Sequence, residues 1–385
     1  MDIELFEQTS LVTNKEICYG LPHGTGIDSR VFSRVLDDKN VVASYKMYWL
    51  LGILDEVSLG RNVIEFKRII SRMITYGWYP LLKYKLSFGY SDNLKKPINY
   101  IAEKYGLPSN YSSDKLLDFL DKNDDKELLK MMNELTYFVP YRLLTPFYVS
   151  ELKGVKDSSK NKLIEYLSQN TSHGLYKIIN GNTIVINEGW DDYLKNNYKI
   201  IKAWIYYKLV MFLQKKNPNV PAIALKLEAP IKRELEAAKK LWKQVISSKN
   251  IKDIYTGNEF NDTNYAKYGL LSIDHFIPWS FVLHDKMWNL TPTFKNINSS
   301  KSDNLLDYDL YIDSFCNIQY EAFSYICDNK RNKDLEEYID ILQLENPYEY
   351  YISSNRNDFN SKLKQNIAPL FQIAVNQGFN VVKEL

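Results

Sequence analysis

Residues 270–307, LLSIDHFIPWSFVLHDKMWNLTPTFKNINSSKSDNLLD, decide how the rest of the chain is read. Asp274 stands beside His275 at the end of a short apolar run that a Pro278-Trp279 turn closes, and Asn289 precedes a second apolar run, LTP. Asn298 follows where a polar helix begins. Neighbouring strand positions point to opposite faces, so Asp274 and His275 can serve one site only if the strand ends or bends there. Pro278 is consistent with such an ending.

These residue types suit phosphodiester hydrolysis, which needs an activated water, an electrophile for the phosphate and help for the leaving oxygen. His275 can act as the base, because a neutral imidazole titrates near working pH. Asp274 is a hard oxygen ligand for Mg²⁺ or Mn²⁺, and Asn298 offers a side-chain oxygen to the same ion. One carboxylate and one amide leave the other positions of a single ion to water and phosphate, which suits Mg²⁺. The Asn289 amide can tie the return strand to the loop carrying His275. Lys301 and Ser300 are expected at the phosphate, Asp303 at the helix or its loop, and Trp279 in the core of the small domain. His284 falls in the connection VLHDK and is expected at the surface or against phosphate.

The segments DHFIPWSF, WNLTPT and NSSKSDNL resemble the HNH, or His-Me finger, endonuclease family in its asparagine-ended form. The resemblance implies a hairpin and helix around one divalent ion. Asp274 would be a metal ligand, His275 the general base, Asn289 the brace and Asn298 the last ligand. The KSD ending is also similar to the HNH domain of CRISPR RNA-guided nucleases, although nothing else in the chain is. With WYPLLKYKLSFG and NPNVPAIALKL, the whole chain resembles bacterial HNH proteins of the restriction and phage-defence sort. Many relatives hold the fold with two CxxC pairs, whereas IYTGNEF here carries no cysteine, so packing by Trp279, Trp288 or neighbouring helices must replace them.

Upstream of the motif, IKRELEAAKKLWKQVIS has helical period, with Leu235, Ala238, Leu241, Trp242 and Val245 on one side. Lys239, Lys240 and Lys243, with Lys232 and Arg233, form a basic side that either tracks a phosphate backbone or is a solvated face balanced by Glu234 and Glu236. Farther back, SYKMYWLLGILDEVSLG and VIEFKRIISRMITYGWYP read as helices, the second interrupted at Pro80. HGLYKIINGNTIVINEGW alternates across Asn180-Gly181, a hairpin signal over residues 176–188. Residues 191–215 read as an interior helix.

The predicted fold is mostly α with a small α+β insert. Residues 1–228 form a helical recognition or scaffold region, 229–310 the basic helix and ββα-metal HNH domain, and 311–385 a helical cap. The net charge of +2 confines nucleic-acid contact to local basic clusters and argues against a coating protein. Three cysteines, Cys18, Cys316 and Cys327, without a CxxC pair, argue against a disulfide framework or cysteine-held zinc and favour a reducing compartment. The opening residues carry no secretory signal, and the apolar runs are too short for a bilayer, so the expectation is a cytoplasmic protein without a membrane partner.

The expected function is a divalent-metal-dependent endonuclease. DNA is favoured by resemblance, and the chemistry of the site does not exclude RNA. One active site cuts one strand, so double-strand cleavage calls for a homodimer or repeated nicking, and a defence-complex partner is an open alternative. The rival reading is a catalytically silent nucleic-acid-binding or complex-scaffolding protein that keeps the finger fold.

Overall fold

The computed structural model describes residues 20–230 and 233–385; Cys18, Ile231 and Lys232 lie outside them. The chain is predominantly helical, with a small ββα module within its second half. It divides into two compact units. The first takes the described residues up to Thr75, Tyr90–Tyr105 and Ser112–Phe212, and the second takes Tyr76–Gly89, Gly106–Tyr111 and Leu213–Leu385. Among the described residues no helix is long and apolar enough to cross a membrane.

The first unit is built on the helix Tyr45–Ser58, whose apolar residues are not confined to one stripe. Met47, Tyr48, Trp49, Leu50, Leu51, Ile53 and Leu54 are all buried, the condition under which such a helix is stable. Glu56 is buried with them, where Arg61, Arg68 and Arg72 approach it at 2.5, 3.0 and 2.6 Å. Burial pushes its acid up, but hydrogen bonds and charge from the three arginines outweigh that and hold the carboxyl below its ordinary range.

VIEFKRI has helical period in the sequence, yet Val63–Glu65 is a strand, β1, ahead of the helix Phe66–Trp78. The cause is tertiary. Tyr176–Ile179 (β2) and Thr183–Ile186 (β3) form an antiparallel hairpin, and β1 pairs with the free edge of β3 in the order β1-β3-β2. Asn180 and Gly181 in the connecting turn sit at φ +52 and +63, the left-handed conformation this pair accepts at low cost. Pro80 interrupts the α-helical bonding but not the winding. The chain widens into a π turn, Tyr79–Lys83, with the Tyr84 N–H on Tyr79 O at 3.0 Å. Residues 191–215 differ from expectation in forming parts of two helices, Trp190–Asn196 and Tyr198–Lys216. The second is not interior all round: Ile201, Trp204, Ile205, Leu209 and Leu213 are buried, but Ile200, Tyr207 and Met211 are exposed.

In the second unit the helices Glu236–Lys249, Tyr308–Asp328, Asn332–Leu342 and Arg356–Asn376 enclose a core that includes Trp242, Phe281, Phe315, Phe323, Tyr338 and Phe359. Two strands, Leu271–His275 (β4) and Leu290–Phe294 (β5), pack on it. Phe276, just past β4, stacks on Phe315 at 4.1 Å and fixes that strand end on the helix Tyr308–Asp328. Leu305–Leu306 (β6) pairs in parallel with Val381–Val382 (β7), tying the end of the nuclease-like stretch to the C-terminal residues. Cys316 and Cys327 are unbridged core residues, and burial pushes both thiols up to about 12.

Lys226 is buried in this unit, and its Nζ donates to Pro221 O at 2.6 Å and Phe281 O at 2.5 Å. Burial pushes its pKa down to about 7, against roughly 10.4 for an unfolded lysine. Between those values the unfolded chain holds more protons, so stability rises with pH from about 7 to about 10 and gains nothing from this group below that window. Lys226→Met is expected to flatten the rise, read as the Tm difference between variant and parent across pH. Parallel curves would contradict the assignment.

Candidate active site

β4 and β5 run antiparallel with Leu271 opposite Phe294 and His275 opposite Leu290. The helix Lys295–Lys301 follows β5 without a loop and packs back on both strands. Gly269 permits that close return. It stands at φ +90, and a Cβ there would lie 3.2 Å from both Asn296 Oδ1 and Lys295 Cβ.

β4 ends at His275, where a brace takes over. The Phe276 N–H donates to Asn289 O at 2.9 Å. The Asn289 side chain accepts from the Ile277 N–H at 2.8 Å and donates to Ile277 O at 2.9 Å. Asn289 and Ile277 are both wholly buried, so bulk water does not reach these groups. Asn289→Ala is therefore expected to destabilise by about 1–3 kcal/mol for each group left unpaired. Denaturant unfolding at unchanged m-value checks it, and a variant as stable as the parent would contradict the brace. Gln319 steadies the same turn from the core, donating to Leu290 O at 2.6 Å while accepting from the Tyr338 hydroxyl at 2.7 Å.

Asp274 and Lys301 form a buried ion pair. Lys301 Nζ lies 3.0 Å from Asp274 Oδ2 and 3.3 Å from Oδ1, and donates to His275 O at 2.7 Å. Lys301 is 1% exposed, so its ammonium, expected at a phosphate, is committed inside the module. The Tyr255 hydroxyl donates to Asp274 Oδ2 at 2.5 Å, and burial, followed by the Asp274 charge, pushes that phenol far up.

A cleft of about 450 Å³ brings Asp274, His275 and Asn298 together, with Lys83, Arg233 and Trp279 on its wall. Asn298 Nδ2 donates to Ser272 Oγ at 2.8 Å and Ile273 O at 3.0 Å, and Oδ1 has no hydrogen-bond partner among the described residues. His275 Nε2 lies 2.7 Å from Asp285 Oδ1, and Nδ1 lies 3.5 Å from Arg233 Nη1. Arg233 precedes the helix it was expected to join and sits over the Trp279 ring at 5.4 Å. Trp279, expected in the core, lines the cleft instead. Asp303 pairs with Lys83.

The remaining expected contacts stand outside the cleft. Lys240 and Lys243 are exposed and Lys239 partly so on the helix Glu236–Lys249. Ser300 is exposed and donates to Asn296 O at 3.0 Å. His284 packs on Trp288 at 5.1 Å, and burial above all pushes its pKa down to about 4. Where the sequence offers no cysteine pair, Asp253 Oδ2 accepts the Thr256 N–H at 2.9 Å and hydroxyl at 2.7 Å, closing the IYTGNEF turn by hydrogen bonds alone.

The donor set fits a divalent ion that keeps most of its water. Asp274 and Asn298 Oδ1 are hard oxygens on one cleft, and among the described residues no group of three or more His, Cys, Asp or Glu forms a protein cage for a metal. Arg233 and Lys83 on the cleft wall, and Asp285 and Tyr255 behind it on His275 and Asp274, are the unforeseen residues of the site. No sequence spacing marks them, and only Asp285, in VLHDK, lay within reach of the motif.

Residues 253–305 match the family model described as HNH endonuclease, so an HNH-type nuclease domain occupies that part of the chain. No curated protein and no solved structure matches the chain.

Proposed function

We propose that this protein is a divalent-metal-dependent endonuclease that hydrolyses phosphodiester bonds, with DNA as its favoured substrate and restriction or phage defence as its setting. What supports the reading is the single cleft that His275, Asp274 and Asn298 all line, inside the stretch that matches the HNH endonuclease model.

Asp274 and Asn298 Oδ1 are the side chains that would hold one Mg²⁺ or Mn²⁺. When bound, the ion supplies positive charge for the phosphate and the leaving 3′ oxygen. His275 takes the proton of the attacking water at the ring nitrogen facing the cleft, Nδ1. Arg233 on the cleft wall favours the extra negative charge of the pentacovalent phosphate. Lys301 holds the Asp274 carboxylate and the His275 carbonyl in one geometry, and Asn289 holds the turn that follows His275. Lys239, Lys240 and Lys243 extend the positive surface along which a backbone can lie. The helical first unit takes the recognition role, for a base sequence, a modification or a partner.

A second reading has one observation in its favour. Lys301 already neutralises Asp274, as a binding module that needs no ion would require. Purified protein incubated with supercoiled plasmid, linear duplex, single-stranded DNA and structured RNA, with and without Mg²⁺ or Mn²⁺, separates the two. Metal-dependent cutting supports the nuclease and names its substrate. Binding without cutting under every condition supports the silent module.

A further inference from the structure

His275 is held from two sides by groups of opposite hydrogen-bonding character. A carboxylate only accepts and a guanidinium only donates. With Asp285 Oδ1 2.7 Å from Nε2 and Arg233 Nη1 3.5 Å from Nδ1, the ring meets both partners as the tautomer protonated on Nε2. Its lone pair then lies on Nδ1. That is the cleft side, since Arg233 lines the cleft and Asp285 does not.

Asp285 is fixed for this role. Leu283, two residues before it, stands at φ +56 and turns the chain out of the short helix Trp279–Val282. On the other side the Met287 N–H donates to Glu337 Oε2 at 2.5 Å and the Asn289 N–H to Lys286 O at 2.9 Å. The His275 side chain is 4% exposed and that of Asp285 is 29% exposed, so a nearly buried ring meets a half-buried carboxylate on its Nε2 side.

We propose that Asp285 is the positioning residue of this centre: it holds His275 by Nε2–H, sets the tautomer and keeps the Nδ1 lone pair aimed at the water to be deprotonated. This inference rests on the nuclease reading, but its test has an arm that does not. The proton moves from water to Nδ1 of a ring whose other nitrogen is already protonated, so Asp285 itself neither gains nor loses one. Arg233 holds the lone pair meanwhile and yields it when a phosphate oxygen draws the guanidinium away.

The first arm reads the imidazole tautomer by ¹⁵N–¹H NMR of the free protein, with the His275 signals assigned by their loss in His275→Gln. The neutral ring is expected to carry its proton on Nε2 in the parent. In Asp285→Asn, which keeps the side chain's shape, the amide can turn its donor to Nε2 and the proton is expected to shift toward Nδ1. A parent ring protonated on Nδ1, or an unchanged spectrum in the variant, overturns the proposal. The second arm is kinetic: Asp285→Asn and Asp285→Ala should lower kcat by about 10²-fold or more with KM little changed, and Asp285→Glu should recover part of it. Parent-like kcat in folded Asp285→Ala overturns the proposal. Absence of cutting by the parent on every substrate defeats the nuclease reading instead, while the spectrum still decides the tautomer.

Discussion

Asp274→Ala is expected to cost about 3–5 kcal/mol of folding stability, because it removes one partner of a buried ion pair. Lys301 is 1% exposed and has three oxygens around its ammonium, two of them on Asp274 and the third on the His275 carbonyl. Without the carboxylate, that charge stays buried against one carbonyl, and the Tyr255 hydroxyl loses its acceptor on Asp274. Denaturant unfolding reads the loss. The double variant Asp274→Ala/Lys301→Met should recover most of it, since no uncompensated charge remains, yet should not recover ion binding. If Asp274→Ala unfolds with the parent, the buried pair does not hold the module together. The comparison matters because, on the proposed function, lost cleavage in the single variant would mix lost stability with a lost ligand, and the double variant relieves the uncompensated charge.

His275→Ala is the complementary case: a large loss of rate with little loss of stability. Removal of a general base typically lowers turnover by about 10²–10⁴-fold, and the deficit should persist at any concentration of Mg²⁺ or Mn²⁺. The fold should tolerate the change, because the Asp285 carboxylate is partly exposed and water can take the place of the imidazole. Single-turnover rates across an ion titration, with the melting curve measured alongside, check both halves. A rate that excess ion restores would make His275 a ligand and not a base.

What could be read without coordinates was whatever is encoded locally. The apolar runs around Asp274 and after Asn289 gave two strands, and the polar NINSSK stretch a helix, because period and turn residues act over a few positions. Val63–Glu65 escaped that reading since its strand state depends on β3, some 120 residues on. Lys301 was visible as part of KSD, but its burial on Asp274 is a property of how the closing helix returns over β4. Arg233 and Asp285 lie 42 and 10 residues from the histidine they bracket, and no periodicity links them to it. Trp279 looked like core by composition, yet sits on the cleft under Arg233, where an aromatic face accepts a guanidinium.

The most direct test of the centre compares the parent with His275→Ala on whichever substrate the parent cuts, under single-turnover conditions at saturating Mg²⁺ or Mn²⁺. The account predicts metal-dependent cleavage by the parent and near-complete loss in a variant that remains folded. Cleavage by folded His275→Ala at the parent's rate would place the chemistry elsewhere in the chain and contradict the cleft at the end of β4 as the active site.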